Sequence, residues 1–577
     1  MLPRSWFSSF LLASLVPVGF AGVWPSLRAN EPPSPQPLAE RILAAAGVQG
    51  GIVVHVGCGD GRLTAALRAG DAFTIHGLER DPALVKAARE HIAKLGRYGP
   101  VAVEHWTGST LPYADNLVNL VVVSDPSSVE RTEILRVLAP GGVAVFSTPG
   151  QEAQTTDVIV KPRPDTIDQW THFLHDAGNN AVARDTLVGP PRCLQWVAPP
   201  LWLRSHETPS GIEGLVSSDR RIFYFLDEGL IGITDQRLPE RWSLVCRDAF
   251  NGRLLWKRSV EPWGWPEWAR DKFIDQDWTE IRSGRTVVPS ENQRRLVADG
   301  DRLYATLGFQ APLSILNAAT GEVLAVVEGT SPTKEILASD GVVVVHCSDP
   351  SAGATKRRGK GEQKTSRLVA VQGDTGAVRW SKDTKAIDPL QLVIDGGRVI
   401  YRTGSTLTAL SLADGRPQWS VDGVPGKART LIGHDGVVLQ YVQNTLEARD
   451  GAAGDRLWQQ DVPPSTGGES EDLFVANGVV WRGMVCVDEN EQPVGKSAGA
   501  MAIGFDLRTG EEKKRIVVPG LRSPEHHHRC YRNKATERYL ISGMEGAEFM
   551  DLLGDDHGQN NWLRGACKLG VMPCNGL

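Results

Sequence analysis

The sequence predicts a two-domain chain: a doubly wound α/β domain followed by an all-β propeller of seven or eight blades. Three observations predict it. The 577 residues can bury two substantial cores. Residues 38–150 alternate apolar strands with amphipathic helices, the pattern of a parallel sheet with crossover helices. In the second half one pattern returns six times, five of them opening on a Leu: a Gly follows eight residues on, and usually a Trp four beyond the Gly.

At the N-terminus, Arg4 precedes an apolar stretch from Trp6 to Trp24, broken by Pro17 and Gly19, with Ala21 and Ala29 as cleavage-site residues. Residues 1–30 read as a signal peptide, which predicts an exported protein of the periplasm or cell envelope. An uncleaved anchor is the alternative. Residues 31–37 are a Pro-rich linker, and no other segment is apolar enough to span a membrane. A net charge of −6 and a pI near 6.2 argue against a nucleic-acid partner. The basic run of Lys356, Arg357, Arg358, Lys360, Lys364 and Arg367 reads as a solvated loop insertion. The eight cysteines show no CxxC spacing, and in an oxidising compartment their pairing stays open.

In the α/β domain, Ile52–Val56, Phe73–Leu78, Val101–Trp106, Leu117–Ser124 and Gly142–Ser147 read as strands. Pro82 starts a helix whose apolar stripe is Leu84, Ala88, Ile92 and Leu95. After the first strand, Gly57, Gly59 and Gly61 let backbone approach a ligand beside a helix N-terminus. Glu79 ends the second strand, where a carboxylate can accept from both hydroxyls of a ribose. With the Leu138-Ala-Pro-Gly-Gly142 turn, this domain resembles the class I S-adenosylmethionine (SAM) methyltransferases. Gly108-Ser-Thr-Leu-Pro-Tyr-Ala-Asp-Asn116 and Leu135–Gly142 resemble two further motifs of that family. The resemblance implies SAM as cofactor, with Gly57, Gly59, Asp60, Gly61, Glu79 and Ser109 as its binding positions. It implies methyl transfer to an unidentified acceptor and assigns no catalytic residue. Two positions depart from the family: His55 stands where an acidic residue is usual, and Ser109 where an Asp is usual.

The repeats are Leu244/Gly252/Trp256, Leu313/Gly321/Ala325, Leu368/Gly376/Trp380, Leu407/Gly415/Trp419, Leu446/Gly454/Trp458 and the weaker Ala502/Gly510/Lys514. Each contains a polar residue four before the Gly: Asp248, Asn317, Gln372, Ser411, Asp450 and Asp506. Strand, polar turn and strand make a hairpin whose Gly takes positive φ. The 39 residues from Gly376 to Gly415, and again to Gly454, are one four-stranded blade. The wider gaps read as blades carrying loop insertions. These repeats resemble the propellers of the pyrroloquinoline quinone (PQQ) family, over residues 193–577. The resemblance implies that the Trp residues pack between blades. It also implies, for the redox enzymes of that family, a vicinal Cys-Cys disulfide over PQQ. This chain has no such pair, which counts against PQQ as a cofactor.

Between the domains, residues 151–192 form a connecting segment. There His172, His175 and Asp176 fall close together, and a helix would put His172 and Asp176 on one face. That arrangement reads as a polar helix between domains, with a metal pair as the sharper alternative. Cys193–Trp196 reads as a strand closing the last blade on the first. Trp263-Gly-Trp-Pro-Glu-Trp268 reads as a loop pinned to the barrel, with stacking on a sugar or quinone face at the propeller mouth as the alternative. His526, His528 and Cys530 are candidate metal ligands, with Cys530–Cys567 a candidate disulfide instead. Arg529–Thr536 resembles a stretch of large bacterial exported propeller proteins. No closing blade is evident before Leu577, which predicts an open ring cut from a longer protein. Three function classes follow. They are SAM-dependent methyl transfer, a propeller scaffold whose face binds a protein or glycan beside a degenerate first domain, and a disfavoured quinoprotein oxidoreductase.

Overall fold

A computed structural model describes residues 34–577 apart from 148–156, 200–210, 230–239, 269–287, 349–364, 425–429, 443, 464–472, 495–496, 522–530 and 567. The stretch read as a signal peptide, residues 356–364 of the basic run, and the cluster of His526, His528 and Cys530 lie outside the described residues. Among the described residues, no helix is long and apolar enough to cross a membrane. None of their His, Cys, Asp and Glu side chains form a group of three suited to a metal ion.

The first domain runs α1 (Gln36–Ala46), β1 (Gly51–Val56), α2 (Arg62–Ala66), β2 (Phe73–Glu79), α3 (Pro82–Lys94), β3 (Val101–His105), β4 (Val118–Val123), α4 (Arg131–Val137), β5 (Leu138–Phe146) and β6 (Asp157–Val160). The sheet order is β3-β2-β1-β4-β5-β6, parallel except for β6. Strands β1 and β4 are buried almost throughout, hence their unbroken apolar runs. Asp81 caps α3 by accepting from Ala83 N at 2.8 Å. The buried face of α3 is Val85, Ala88 and Ile92, while Leu84 and Leu95 are exposed, so the expected stripe is rotated by one position. Residues 138–142 are the start of β5 rather than a free turn, with Gly141 at φ 74 where β4 and β5 shift register. Helix α1 starts inside the stretch read as linker, and β6 adds to this sheet from the stretch read as connector.

Seven further sheets follow, at residues 212–259, 296–327, 333–385, 392–421, 431–461, 473–518 and 534–560. Each has four antiparallel strands. The repeat occupies the first six, and every repeat Gly takes φ between 69 and 82. The N–H of each repeat Gly donates to the carbonyl of the polar residue four before it, as Gly454 does to Asp450 at 2.8 Å. Each Trp then packs on the turn Gly of the next blade. A Cβ at Gly415 would stand 2.7 Å from Trp380 Cδ2, and one at Gly454 2.7 Å from Trp419 Cε3. The indole N–H of Trp256, Trp380, Trp419 and Trp458 donates to Ala318, Leu412, Gly451 and Leu507 O at 2.9–3.0 Å. Where the second repeat has Ala325, that small side chain and Val327 underlie Gly376.

Trp196 does the same for blade one. Its indole donates to Ala249 O at 2.9 Å and its ring lies on Gly252. Residues 193–196 are therefore not the expected closing strand. The seventh blade, which the sequence does not announce, comes from residues 534–560 with Val182–Ala183 added parallel to Lys534–Thr536. The C-terminal residues reach blade one, where Asn575 Nδ2 donates to Ser217 Oγ at 2.8 Å. Trp263 is buried, stacks on Phe225 at 4.9 Å, and meets Trp242 and Trp268, which pins its loop as expected.

Residues 170–176 form no helix. They begin a strap that meets the first strand of each blade in turn. Trp170 exchanges hydrogen bonds with Ser217, and Ala298 N donates to Thr171 O at 3.0 Å. Ala338 N donates to His172 Nε2 at 3.0 Å. Ile394 N donates to Ala177 O, and Gly433 N to Gly178 O, both at 2.9 Å. Val475 N donates to Asn180 Oδ1, and Ala535 N to Ala181 O, again at 2.9 Å. A segment touching seven first strands in order fills the ring axis. At its centre, His175 sits between Asp168 (Nε2 to Oδ2, 2.7 Å) and Asp176 (Nδ1 to Oδ2, 3.2 Å). These ring nitrogens hold the strap together, and the two carboxylates occupy them fully.

Candidate active site

The candidate site lies at the carboxyl ends of β1, β2 and β4. The strand order reverses between β1 and β4, so a crevice opens there, where α/β sheets take their ligands. Gly57, Gly59 and Gly61 have φ of 72, 55 and 77. Each has its own reason to lack a side chain. Gly57 faces Asp125, whose Cβ would be 3.0 Å from a Cβ at 57, and Gly61 packs on Ala88 of α3. Around Gly59 there is open space, so backbone is exposed to whatever enters. The helix that follows has only five residues, so the loop amides rather than a helix dipole are the donors on offer.

Glu79 reaches back to this loop. Its Oε2 accepts from Gly59 N at 2.7 Å, while Oε1 accepts from Arg80 N at 2.8 Å and Asp81 N at 3.2 Å. Loop and carboxylate therefore converge, as the sequence spacing implied. Asp60 is exposed and pairs with Arg62 at 3.1 Å. Ser109 lies exposed on the loop after β3. Beside Ser109, Arg80 crosses the crevice: its Nη2 donates to Gly108 O at 3.3 Å and Ser128 O at 3.1 Å, and its guanidinium lies 5.3 Å from the Trp106 ring centre.

His55 points inward rather than into the crevice. Its Nδ1 meets Thr64 Oγ1 and its Nε2 meets Ser124 Oγ, both at 2.8 Å. Burial lowers its pKa to about 4, so a neutral ring bonded at both nitrogens replaces a charge. The Cys58 thiol, buried and close to Glu79, is pushed up to about 12 and is no nucleophile. Arg80, Trp106 and Asp125 were not singled out from sequence. The cue for Asp125 was present: it follows a fully buried strand at the point where the sheet order reverses.

The other end of the same sheet is docked on blade one. Asn119 Nδ2 donates to Asp248 Oδ2 at 2.6 Å, and Asn251 Nδ2 donates to Asn119 Oδ1 at 2.8 Å and Leu117 O at 2.9 Å. Arg253 Nη2 donates to Asp71 O and Arg220 Nη1 to Gly141 O, each at 2.6 Å. Asp248 thus serves two purposes, since its Oδ1 also caps the blade turn by accepting from Phe250 N at 2.9 Å. The crevice faces away from this contact.

Residues 53–142 match the family model of a methyltransferase domain, and residues 354–529 match that of the outer membrane protein assembly factor BamB, a PQQ-like repeat. This chain joins a methyltransferase-like domain to a BamB-like propeller. Among solved structures it is similar to a putative SAM-dependent methyltransferase from Methanococcus maripaludis, at 25% identity and a TM-score of 0.19 over 20% of this chain and 55% of that one. The chain therefore spans about half the length of that relative. It is also similar to BamB from Moraxella catarrhalis, at 11% identity and TM-score 0.34 over 61% of this chain and 83% of that one. A computationally designed protein, Ika8, matches at 14% identity and TM-score 0.35 over 61% and 98%. No curated protein matches the chain.

Proposed function

We propose that the methyltransferase-like domain binds SAM and transfers its methyl group, with the propeller as the rigid body that holds the crevice outward. The observation that carries this reading is the convergence of the open Gly59 and the Glu79 carboxylate on one point, 2.7 Å apart. The residues present suit a nucleoside on that side. Gly57, Gly59 and Gly61 would offer backbone to it, and Glu79 would exchange its Gly59 bond for ribose hydroxyls. Arg80 must swing off Gly108 and Ser128 to admit a base against Trp106. SAM, when bound, supplies an electrophilic methyl group. The chain's contribution is to bind, orient and exclude water. Calorimetry of the full chain with SAM tests the reading. Saturable heat at micromolar to millimolar ligand is expected, and none at millimolar ligand overturns it.

A second reading has its own support: a propeller scaffold that binds a protein or glycan on its face, beside a degenerate first domain. The Arg80 bridge and the neutral His55 favour it. Silence toward SAM from both the wild type and Arg80→Ala would select it. We further propose that the chain works in the cell envelope, on the strength of its BamB-like propeller and its N-terminal leader. Fractionation of the native organism checks that: recovery of the chain in the cytosol contradicts it.

A further inference from the structure

We infer that Asp125 supplies the negative charge that recognises the cationic aminoalkyl end of the adenosyl donor. This rests on the SAM-binding reading above and names the residue that selects for the charged ligand.

The inference comes from the carboxylates that the strand ends bring to the crevice. Glu79 has both oxygens on backbone amides, at 2.7–3.2 Å. Asp60 is paired with Arg62. Asp81 caps α3. Asp125 is different. It is half-buried, and its Oδ1 accepts from Ser127 N at 3.1 Å and Ser127 Oγ at 2.6 Å. Its Oδ2 has no partner among the described residues. The Ser127 bonds fix the carboxylate and leave one oxygen for a ligand.

Position supports the same role. Ser124 N donates to Val56 O at 2.9 Å, which continues the ladder between β1 and β4. Asp125 is therefore the next residue, directly across from Gly57, at 3.0 Å from where a Cβ there would be. Arg80 reaches the same turn, since its Nη2 donates to Ser128 O at 3.1 Å and Ser128 N and Oγ donate to Asp125 O at 3.1 and 2.7 Å. A nucleoside whose sugar meets Glu79 and whose base replaces the Arg80 bridge directs its 5′ substituent toward Gly57 and Asp125. In SAM that substituent carries a sulfonium, an ammonium and a carboxylate, with a net charge of +1, and Asp125 addresses the ammonium. Neutral His55, with both nitrogens engaged, offers no charge there.

The test uses the full chain as wild type, Asp125→Asn and Asp125→Glu, titrated with SAM and with 5′-methylthioadenosine. The second ligand keeps the nucleoside and lacks the sulfonium charge and the whole amino-acid group. Asp125→Asn is expected to weaken SAM about tenfold to a hundredfold and methylthioadenosine by less than about twofold. Asp125→Glu is expected to recover part of the SAM affinity. Equal SAM affinity in wild type and Asp125→Asn overturns the inference, and so does an equal loss for both ligands. Methylthioadenosine binding without SAM preference leaves the nucleoside site standing and removes Asp125's role. Silence of the wild type toward both ligands removes the SAM reading and this inference together. Where Asp125→Asn melts early, the wild type decides. SAM affinity that falls with added salt while methylthioadenosine affinity holds supports the inference, and salt-independent SAM affinity contradicts it.

Discussion

Two buried histidines in two regions of the molecule carry opposite charge states for one reason, the chemistry of their partners. In the crevice wall, His55 meets two hydroxyls, and burial lowers its pKa to about 4. In the strap on the ring axis, burial also opposes charge on His175. There, hydrogen bonds and charges from Asp168 and Asp176 outweigh it and raise the pKa to about 9. Hydroxyls satisfy an imidazole without ionising it, whereas paired carboxylates make it a cation. The lesson for the crevice is that His55 is a structural residue. Any charge the ligand needs must come from elsewhere.

The largest effect expected from breaking this comparison is on the strap. His175→Ala leaves Asp168 and Asp176 without their cation and should cost about 3–5 kcal/mol, read from denaturant unfolding. His55→Ala removes two neutral hydrogen bonds and should cost about 1–3 kcal/mol. A similar cost for both would contradict the assigned charge states.

The second effect is on pH dependence. Because the folded pKa of His175 lies above its ordinary 6.5, its contribution is fully present below pH 6.5 and is lost as pH rises through 9. His55 and His172, held near 4 by burial, act the other way. Between pH 6.5 and 4 the unfolded chain takes up protons that these folded side chains refuse, so stability falls as pH falls. Above pH 7 the loss at His175 is opposed by Lys534, whose pKa burial lowers to about 7, so that its contribution grows with pH. His175→Gln should therefore make melting temperature rise more steeply with pH between 7 and 9 than in the wild type, and leave the acid limb in place.

Smaller effects sharpen the contrast between the two ends of the α/β sheet. Asn119→Ala strips Asp248 Oδ2 of its partner and should cost about 1–3 kcal/mol, with the α/β domain melting earlier than the propeller in calorimetry. At the crevice end, Arg80→Ala should leave stability within about 0.5 kcal/mol and tighten nucleoside binding several-fold, measured by titration. Unchanged or weaker binding would show that the Arg80 bridge is no obstacle.

Local chemistry made much of this legible. The six turn glycines need positive φ and receive the next Trp, so spacing alone revealed six blades. The first domain was legible because β1 and β4 are unbroken apolar runs and the glycine loop follows one of them. What stayed hidden depends on distant partners. The seventh blade joins Val182–Ala183 to residues 534–560, and no repeat marks either piece. The strap from Trp170 to Ala181 resembled a helix because His172 and Asp176 have helical spacing. Its real partners are seven strands spread over more than 300 residues of sequence, from Ser217 to Ala535. At the crevice, the loop and Glu79 could be read from spacing. Arg80 and Asp125 act through contacts with Gly108, Ser128 and Gly57 that only the fold creates.

The most direct measurement of the central claim is hydrogen exchange of the full chain with and without SAM. Slowed exchange is expected at residues 57–61, 79–81, 106–109 and 124–128, with the propeller unchanged. Identical exchange at those residues in both conditions would contradict it.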